Sequence, residues 1–457
     1  MGLPLFAVYA FRVPDDPPPP VPSPPAALPR TLGLLPATSL LVGGVVGSGI
    51  FVVPGAMLHA TPSVPWCLLV WIVAGGISFL GSLTFAELGS ILPEAGGEYV
   101  YLRSAYGPGV AFLYGWVLLA VIQSGSISAV AATFGEYASR LAAHGTPQTW
   151  AVLCVVVCGV VNLFARSLAI GLQTSVTVTK VLALAGVGAL AAAAAGPGAF
   201  TSLTTSLPGR EITLGGLGLA TMSAMWSYDG WNAVSLVAGE VREPEKNLPR
   251  ALLIGLSLVV VLYIAVFAAY VTCLGPSGVE RSQQLAADVG QRAMGPIGAY
   301  AMSALIALST FGTALGMMFT CPRTYYAMAQ DRLFFASAGR VHPRWGTPHV
   351  AVVWQTVMSV LYATTSFTDL LDYVMFASWL FYGLTAASLF VLRRRLGKPG
   401  PFPTPGYPLT PALFCLISLA LMADGLRTNP HQALKGLVVI ACGLPLYALL
   451  RLRQTDH

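Results

Sequence analysis

Stretches of about 20 apolar residues, the length a helix needs to cross a bilayer, recur along this chain from Thr31 to its end. About twelve are present, centred on residues 33–58, 64–91, 108–141, 149–165, 172–195, 212–238, 249–274, 294–328, 349–365, 367–392, 408–426 and 433–451. Of the 457 residues 55% are hydrophobic and only 9% charged, against about 25% charged in a soluble domain. A water-soluble fold has nowhere to bury that much apolar surface. The expected class is therefore an all-α membrane protein with about twelve transmembrane helices, several of them long enough to imply tilt or a break.

Two domains are expected. Residues 14–29 hold nine prolines, which can neither form a helix nor build a core, so 1–30 reads as a disordered, Pro-rich cytoplasmic tail. Residues 31–457 form the transmembrane domain. The net charge of +6 is not a nucleic-acid footprint, because the basic residues sort by side of the membrane. Of the 24 Lys and Arg, 17 fall in segments on the side of the N-terminus, six fall on the other side, and Lys180 lies within a span. That bias places both termini in the cytoplasm of a multi-pass protein of the cell membrane.

Metal and enzyme chemistry find little support. The seven cysteines lie mostly inside apolar runs without ligand spacing, and the six histidines are scattered, so no metal site and no cofactor is expected. Ser48 and Lys180 could formally make a dyad, but no convergent catalytic set surrounds them. An enzyme is not expected.

Two spans are interrupted by glycine-containing polar steps, Gly47-Ser48-Gly49 in the first and Ser227-Tyr228-Asp229-Gly230 in the sixth. Five spans separate them, so the two halves would have opposite topology, which is the mark of an inverted-repeat transporter site. Glycines in a bilayer helix also serve close packing, and that reading stays open for Gly47 and Gly49. Pro54 follows shortly, and the combination favours local unwinding. Freed N–H groups and the positive end of a half-helix suit a carboxylate, with the Ser48 hydroxyl beside them. In the sixth span Asp229 costs a few kcal/mol unless it faces a cavity or partner, and Gly230 lets the helix break. Carbonyls freed there could receive an ammonium. An α-amino acid is the simplest ligand with that geometry.

The ordered motifs VVGSGIFVVPG (45–55), ELGSILPEAGGEYVYLRSAYG (87–107), TVTKVLAL (177–184), SYDGWNAVSLVAGEVREPEKNLPRA (227–251) and CPRTYYAMAQDRLFF (321–335) resemble the LAT group of the amino acid–polyamine–organocation superfamily. The resemblance implies a LeuT-like fold of two inverted five-helix repeats with broken first and sixth helices. It implies Gly47, Ser48 and Gly49 around the substrate carboxylate, and the carbonyls of Val45, Trp226 and Asp229, beside Gly230, around the amine. Trp226 would close over the substrate as a gate, unless it is simply core. The Lys180 ammonium would take the place sodium fills in sodium-coupled relatives, tying the first helix to the hydroxyls of Ser309 and Thr310. Asp229 would either select cationic substrates or brace the half-helix. Gln123, Ser124, Ser126 and Ser128 in the third span, and Trp379 and Tyr382 in the tenth, are further pocket candidates. Glu94, Gly96 and Gly97 would belong to a cytoplasmic re-entrant loop. The implied activity is sodium-independent transport of L-amino acids by exchange, small neutral substrates favoured. Cationic or proton-coupled transport is the alternative, and a channel or a transport-deficient sensor is more distant. The loop at 140–150 has no cysteine, so no disulfide-linked heavy subunit is expected.

Overall fold

The computed structural model describes residues 28–455 apart from 143, 165, 195–198, 364–366 and 429, so most of the proline-rich tail lies outside the described residues. The first expected span is two helices, α1 (Leu34–Val45) and α2 (Gly49–Ala60), and the second is one, α3 (Val64–Ile91). A short α4 (Glu98–Tyr106) then precedes the third span, which runs through α5 (Pro108–Val117), a π-helical turn (Leu118–Ile122) and α6 (Gln123–Leu141). The fourth and fifth spans are α7 (Pro147–Phe164) and α8 (Arg166–Ala193). The sixth is broken between α9 (Leu214–Tyr228) and a single turn, α10 (Ala233–Leu236). There follow α11 (Pro244–Leu274), the short α12 (Pro276–Arg281) and α13 (Leu285–Met294), and an eighth span made of α14 (Pro296–Thr320) and α15 (Pro322–Gln330). The last four are α16 (His349–Tyr362), α17 (Phe367–Leu396), α18 (Leu409–Thr428) and α19 (Pro430–Thr455). Among the described residues the only bridges of β type are the isolated pairs Leu32–Val241 and Ser63–Ser206.

Several helices open on proline (Pro108, Pro244, Pro296 and Pro322), whose missing N–H falls where no intrahelical partner exists. Among the described residues, ten helical segments are long and apolar enough to cross a membrane. The other two of the twelve are explained by geometry. The sixth is split into halves, and α16 has 14 residues, about 21 Å of helix at 1.5 Å per residue.

The interrupted first span is the core. Helix α1 packs against α11, α8 and α14, and α2 lies along α9. The last two helices are peripheral and turn Leu413, Leu416, Leu419, Leu434 and Leu444 outward, as a lipid-facing surface requires. The two breaks meet. A methyl placed on Gly230 (φ 93°) would sit 3.3 Å from the Gly44 carbonyl oxygen, a backbone approach that only glycine permits there.

Candidate functional site

Helix α1 ends when Val46 leaves helical geometry (ψ 77°), and α2 restarts at Gly49. Phe51 donates its N–H to the Ser48 carbonyl at 3.1 Å, and the N–H groups before it at the start of α2 have no carbonyl one turn back, so the break presents donors at the positive end of a half-helix. Ser48 sits among them, buried. The Val45 carbonyl is already engaged: it accepts from the Gly47 N–H at 2.7 Å and from the Tyr263 hydroxyl at 2.8 Å. Tyr263 belongs to an aromatic cluster with Trp71 and Tyr228, and nothing in its position on an apolar span marks it out in sequence.

Lys180 lies where its charge predicts. Its Nζ donates to the carbonyls of Gly43 and Val46, both at 2.7 Å, and to the Thr313 hydroxyl at 3.0 Å. The contact to the eighth span differs from expectation. Ser309 offers its carbonyl at 3.5 Å, while its hydroxyl turns to the Val46 carbonyl at 3.4 Å. Thr310 takes no part, since its hydroxyl bonds Ile306 and Ala307 within its own helix. The face of α14 that meets the break carries residues four apart, so Ser309 is followed by Thr313.

The glycines of the first break sit in close packing. A Cβ on Gly49 would lie 2.6 Å from both Cα and Oγ of Ser227, and one on Gly47 would lie 3.2 Å from Thr313 Cγ2. The first is a clash with backbone. Gly49 is small where α2 and α9 touch.

At the second break Asp229 caps α9, with its N–H on the Trp226 carbonyl at 3.1 Å, so that carbonyl too is occupied. The Asp229 side chain accepts from the Tyr382 hydroxyl at 2.7 Å. Trp226 is buried, 8% exposed. A small cavity lies beside this break, lined among others by Gln123, Glu98, Asp229, Asn232, Ser378 and Tyr382. Ser124 faces away, because the π-turn sends its hydroxyl to the Leu119 carbonyl at 2.6 Å and it accepts from Gln355 at 2.9 Å. Ser128 bonds the Ser124 and Ser359 carbonyls, and Ser126 Oγ is buried without a partner. Trp379 lines a separate cleft with Met222 and Asp424, its ring edge-on to that of Tyr382 with centroids 5.8 Å apart.

The segment before α4 re-enters the fold as expected. Gly96 donates to the Leu236 carbonyl at 2.9 Å, and a Cβ on Gly97 would meet the backbone of Ser235 and Leu236 at 2.8–2.9 Å. Glu94 pairs with Arg103 at 3.1 Å. Glu98, the residue after Gly97, is fully buried; its Oε2 accepts from Tyr114 at 2.5 Å and from Asn232 at 2.8 Å.

Two half-helices thus end against each other, with a lysine holding the first and a carboxylate capping the second. Comparison with known proteins agrees with that architecture. A family model described as amino acid permease matches residues 32–439. The human b(0,+)-type amino acid transporter 1 is 32% identical over 434 residues, 93% of this chain and 88% of that protein. The human large neutral amino acids transporter small subunit 2 is 32% identical over 434 residues, 93% and 81% of the two chains. The rabbit b(0,+)-type transporter 1 is 32% identical over 374 residues, 80% and 77%. With ten helical segments of full membrane-crossing length among the described residues, and these likenesses along nearly its whole length, the chain is an integral multi-pass membrane protein and belongs to the amino acid permease family.

Proposed function

We propose that this protein transports L-amino acids across the cell membrane, without sodium and by exchange, with small neutral substrates favoured. The observation that carries the reading is the meeting of the two broken spans: N–H donors of α2 on one side, and the carbonyl end of α9 with Asp229 on the other. A zwitterion has the complementary charges. Gly47, Ser48 and Gly49 bind the carboxylate through backbone and hydroxyl donors. The amine goes to the sixth break at Asp229 and Gly230, where the carbonyls of Val45 and Trp226 are already bonded and exchange those partners for the ligand. Trp226 closes over it.

Sodium independence is supported by Lys180, whose ammonium fills the space between Gly43, Val46 and Thr313. The clasp of Tyr382 on Asp229 supports a bracing carboxylate over one that selects cationic side chains. The basic-residue bias supports cytoplasmic termini, with residues 1–30 as a tail outside the transporter domain. A disulfide-linked partner is not needed on this reading. One relative is named a small subunit, but the loop at 140–150 lacks cysteine, and of the seven cysteines only Cys442 is exposed. No covalent chemistry is assigned to the protein.

Purified protein in proteoliposomes tests the reading. Uptake of labelled alanine, serine, leucine, lysine and arginine is compared in sodium and choline buffers, with and without internal amino acid. Trans-stimulated alanine or serine uptake, equal in both buffers, is expected. Absence of uptake across the panel overturns the reading, and migration as a higher-mass species without reductant overturns the single-chain part.

A further inference from the structure

Glu98 is a buried carboxyl with half of its bonding capacity unused. Oε2 takes the Tyr114 hydroxyl and the Asn232 amide, while Oε1 has no partner and no contact with solvent. The residue lines the same cavity as Asp229 and Ser378, and Ser378 Oγ is likewise buried without a partner. The groups facing Glu98 from the surrounding elements are Tyr114 on α5, Asp229 and Asn232 at the break, Tyr382 on α17, Cys321 ahead of α15 and Tyr101 on its own helix. None is basic. The nearby cations are committed elsewhere: Arg323 to Glu240, Arg103 to Asp331 and Glu94, and Arg393 to Glu87.

An ionised carboxyl so placed keeps one oxygen bare in the protein interior, a costly arrangement. A proton on Oε1 removes the charge, and the carboxyl lines the cavity that it shares with Asp229 and Ser378. Asn232 ties the same carboxyl to the second break, and α4 ties it to the segment packed on α10. We propose that Glu98 is a proton-binding site of the transport cycle and that a proton is the second cargo of this carrier. The step is the binding of one proton to the Glu98 carboxylate from the outer solution and its release to the inner one. With amino acid on both sides the proton rides both ways and exchange is neutral. Without internal amino acid Glu98 returns unprotonated, and each amino acid entering brings a net proton.

This inference rests on the transport reading, and the test separates the two. Proteoliposomes containing a trapped pH dye, with potassium and valinomycin clamping the potential, are given a panel of labelled amino acids and no internal substrate. For the wild type, substrate entry is expected to acidify the lumen in proportion, and an inside-alkaline gradient to accumulate substrate several-fold. In Glu98→Gln the ratio of protons to amino acids moved should fall to the background of protein-free vesicles. Tyr114→Phe, which removes one donor to the ionised form, should move the pH midpoint of uptake upward by about one unit. Substrate exchange with no net uptake, entry without proton movement, an unchanged ratio in Glu98→Gln or an unmoved midpoint in Tyr114→Phe overturns the proton assignment alone. Absence of any amino acid flux overturns the transport reading and this inference together.

Discussion

Replacing Lys180 with alanine removes a charge that three acceptors share. Its Nζ reaches the Gly43 and Val46 carbonyls at 2.7 Å and Thr313 Oγ1 at 3.0 Å. The Thr313 hydroxyl approaches the same two carbonyls, at 2.9 and 3.0 Å, but it has one proton and can satisfy only one of them at a time. The Ser309 hydroxyl, at 3.4 Å from Val46, is a weak substitute. The alanine variant therefore leaves the equivalent of one buried carbonyl unpaired at the first break, a cost of about 1–3 kcal/mol. Removal of a buried ammonium returns part of its own desolvation penalty, so the lower half of that range is the better expectation. At 1.4 kcal/mol per decade, transport efficiency should drop roughly tenfold. Arginine should not rescue it, since a planar five-donor fork does not fit a space shaped for a compact ammonium. Initial-rate uptake in proteoliposomes, corrected for protein inserted, measures this. Unchanged kinetics in Lys180→Ala, or a wild type that requires sodium, would refute the reasoning.

Three further substitutions probe the rest of the frame. Gly49→Val should lower the yield of folded protein and its thermal unfolding midpoint in detergent, because its Cβ meets Ser227 backbone; a stable variant that only loses transport would show that ligand access, and not packing, is what the glycine serves there. Tyr382→Phe removes the donor to Asp229 at 2.7 Å, a charge-assisted bond of roughly 1.5–3 kcal/mol, and should slow alanine and lysine uptake alike; loss confined to lysine would make Asp229 a selector of cationic substrates. Glu87→Gln breaks a carboxylate that accepts two bonds from Arg393 at 2.7 Å and two backbone N–H groups, from Gly400 at 3.0 Å and Thr404 at 2.7 Å. Leaving Arg393 unpaired should cost about 3 kcal/mol, read as a fall of several degrees in the unfolding midpoint, and an unchanged midpoint would show that the anchor is dispensable.

The long spans and both breaks were legible because they depend on local pattern. Apolar length marks a membrane helix, and the glycine-containing polar steps at 47–49 and 227–230 mark where it stops. A single charge far from an interface likewise identifies Lys180. What the pattern does not carry is which neighbour answers that charge. Thr310 and Thr313 are equally good hydroxyls on paper, and only the rotation of α14 against α1 chooses between them. Tyr263 and Glu98 were hidden for a related reason: one is a tyrosine in an apolar span, the other an acid in a polar segment, and neither position is unusual until the chain folds. Gly49 carries two explanations at once, since the contact of α2 with α9 requires a small residue there whether or not a ligand approaches it.

The π-turn at Leu118–Ile122 closes with the Gln123 N–H on the Leu118 carbonyl, five residues back. It absorbs one residue more than an α-helical turn would hold. Deleting one residue there would restore a continuous helix and rotate everything on one side of it by about 100°. The side chain presented at the present Gln123 position would then come from a neighbouring place in the chain, with no change in what the rest of α6 is made of. Here the count of residues, more than their identity, writes the wall of the cavity. Homologous chains that differ by a single insertion or deletion in this span can therefore line the same cavity with different chemistry, and an alignment that simply closes the gap would pair residues that point about 100° apart around the helix.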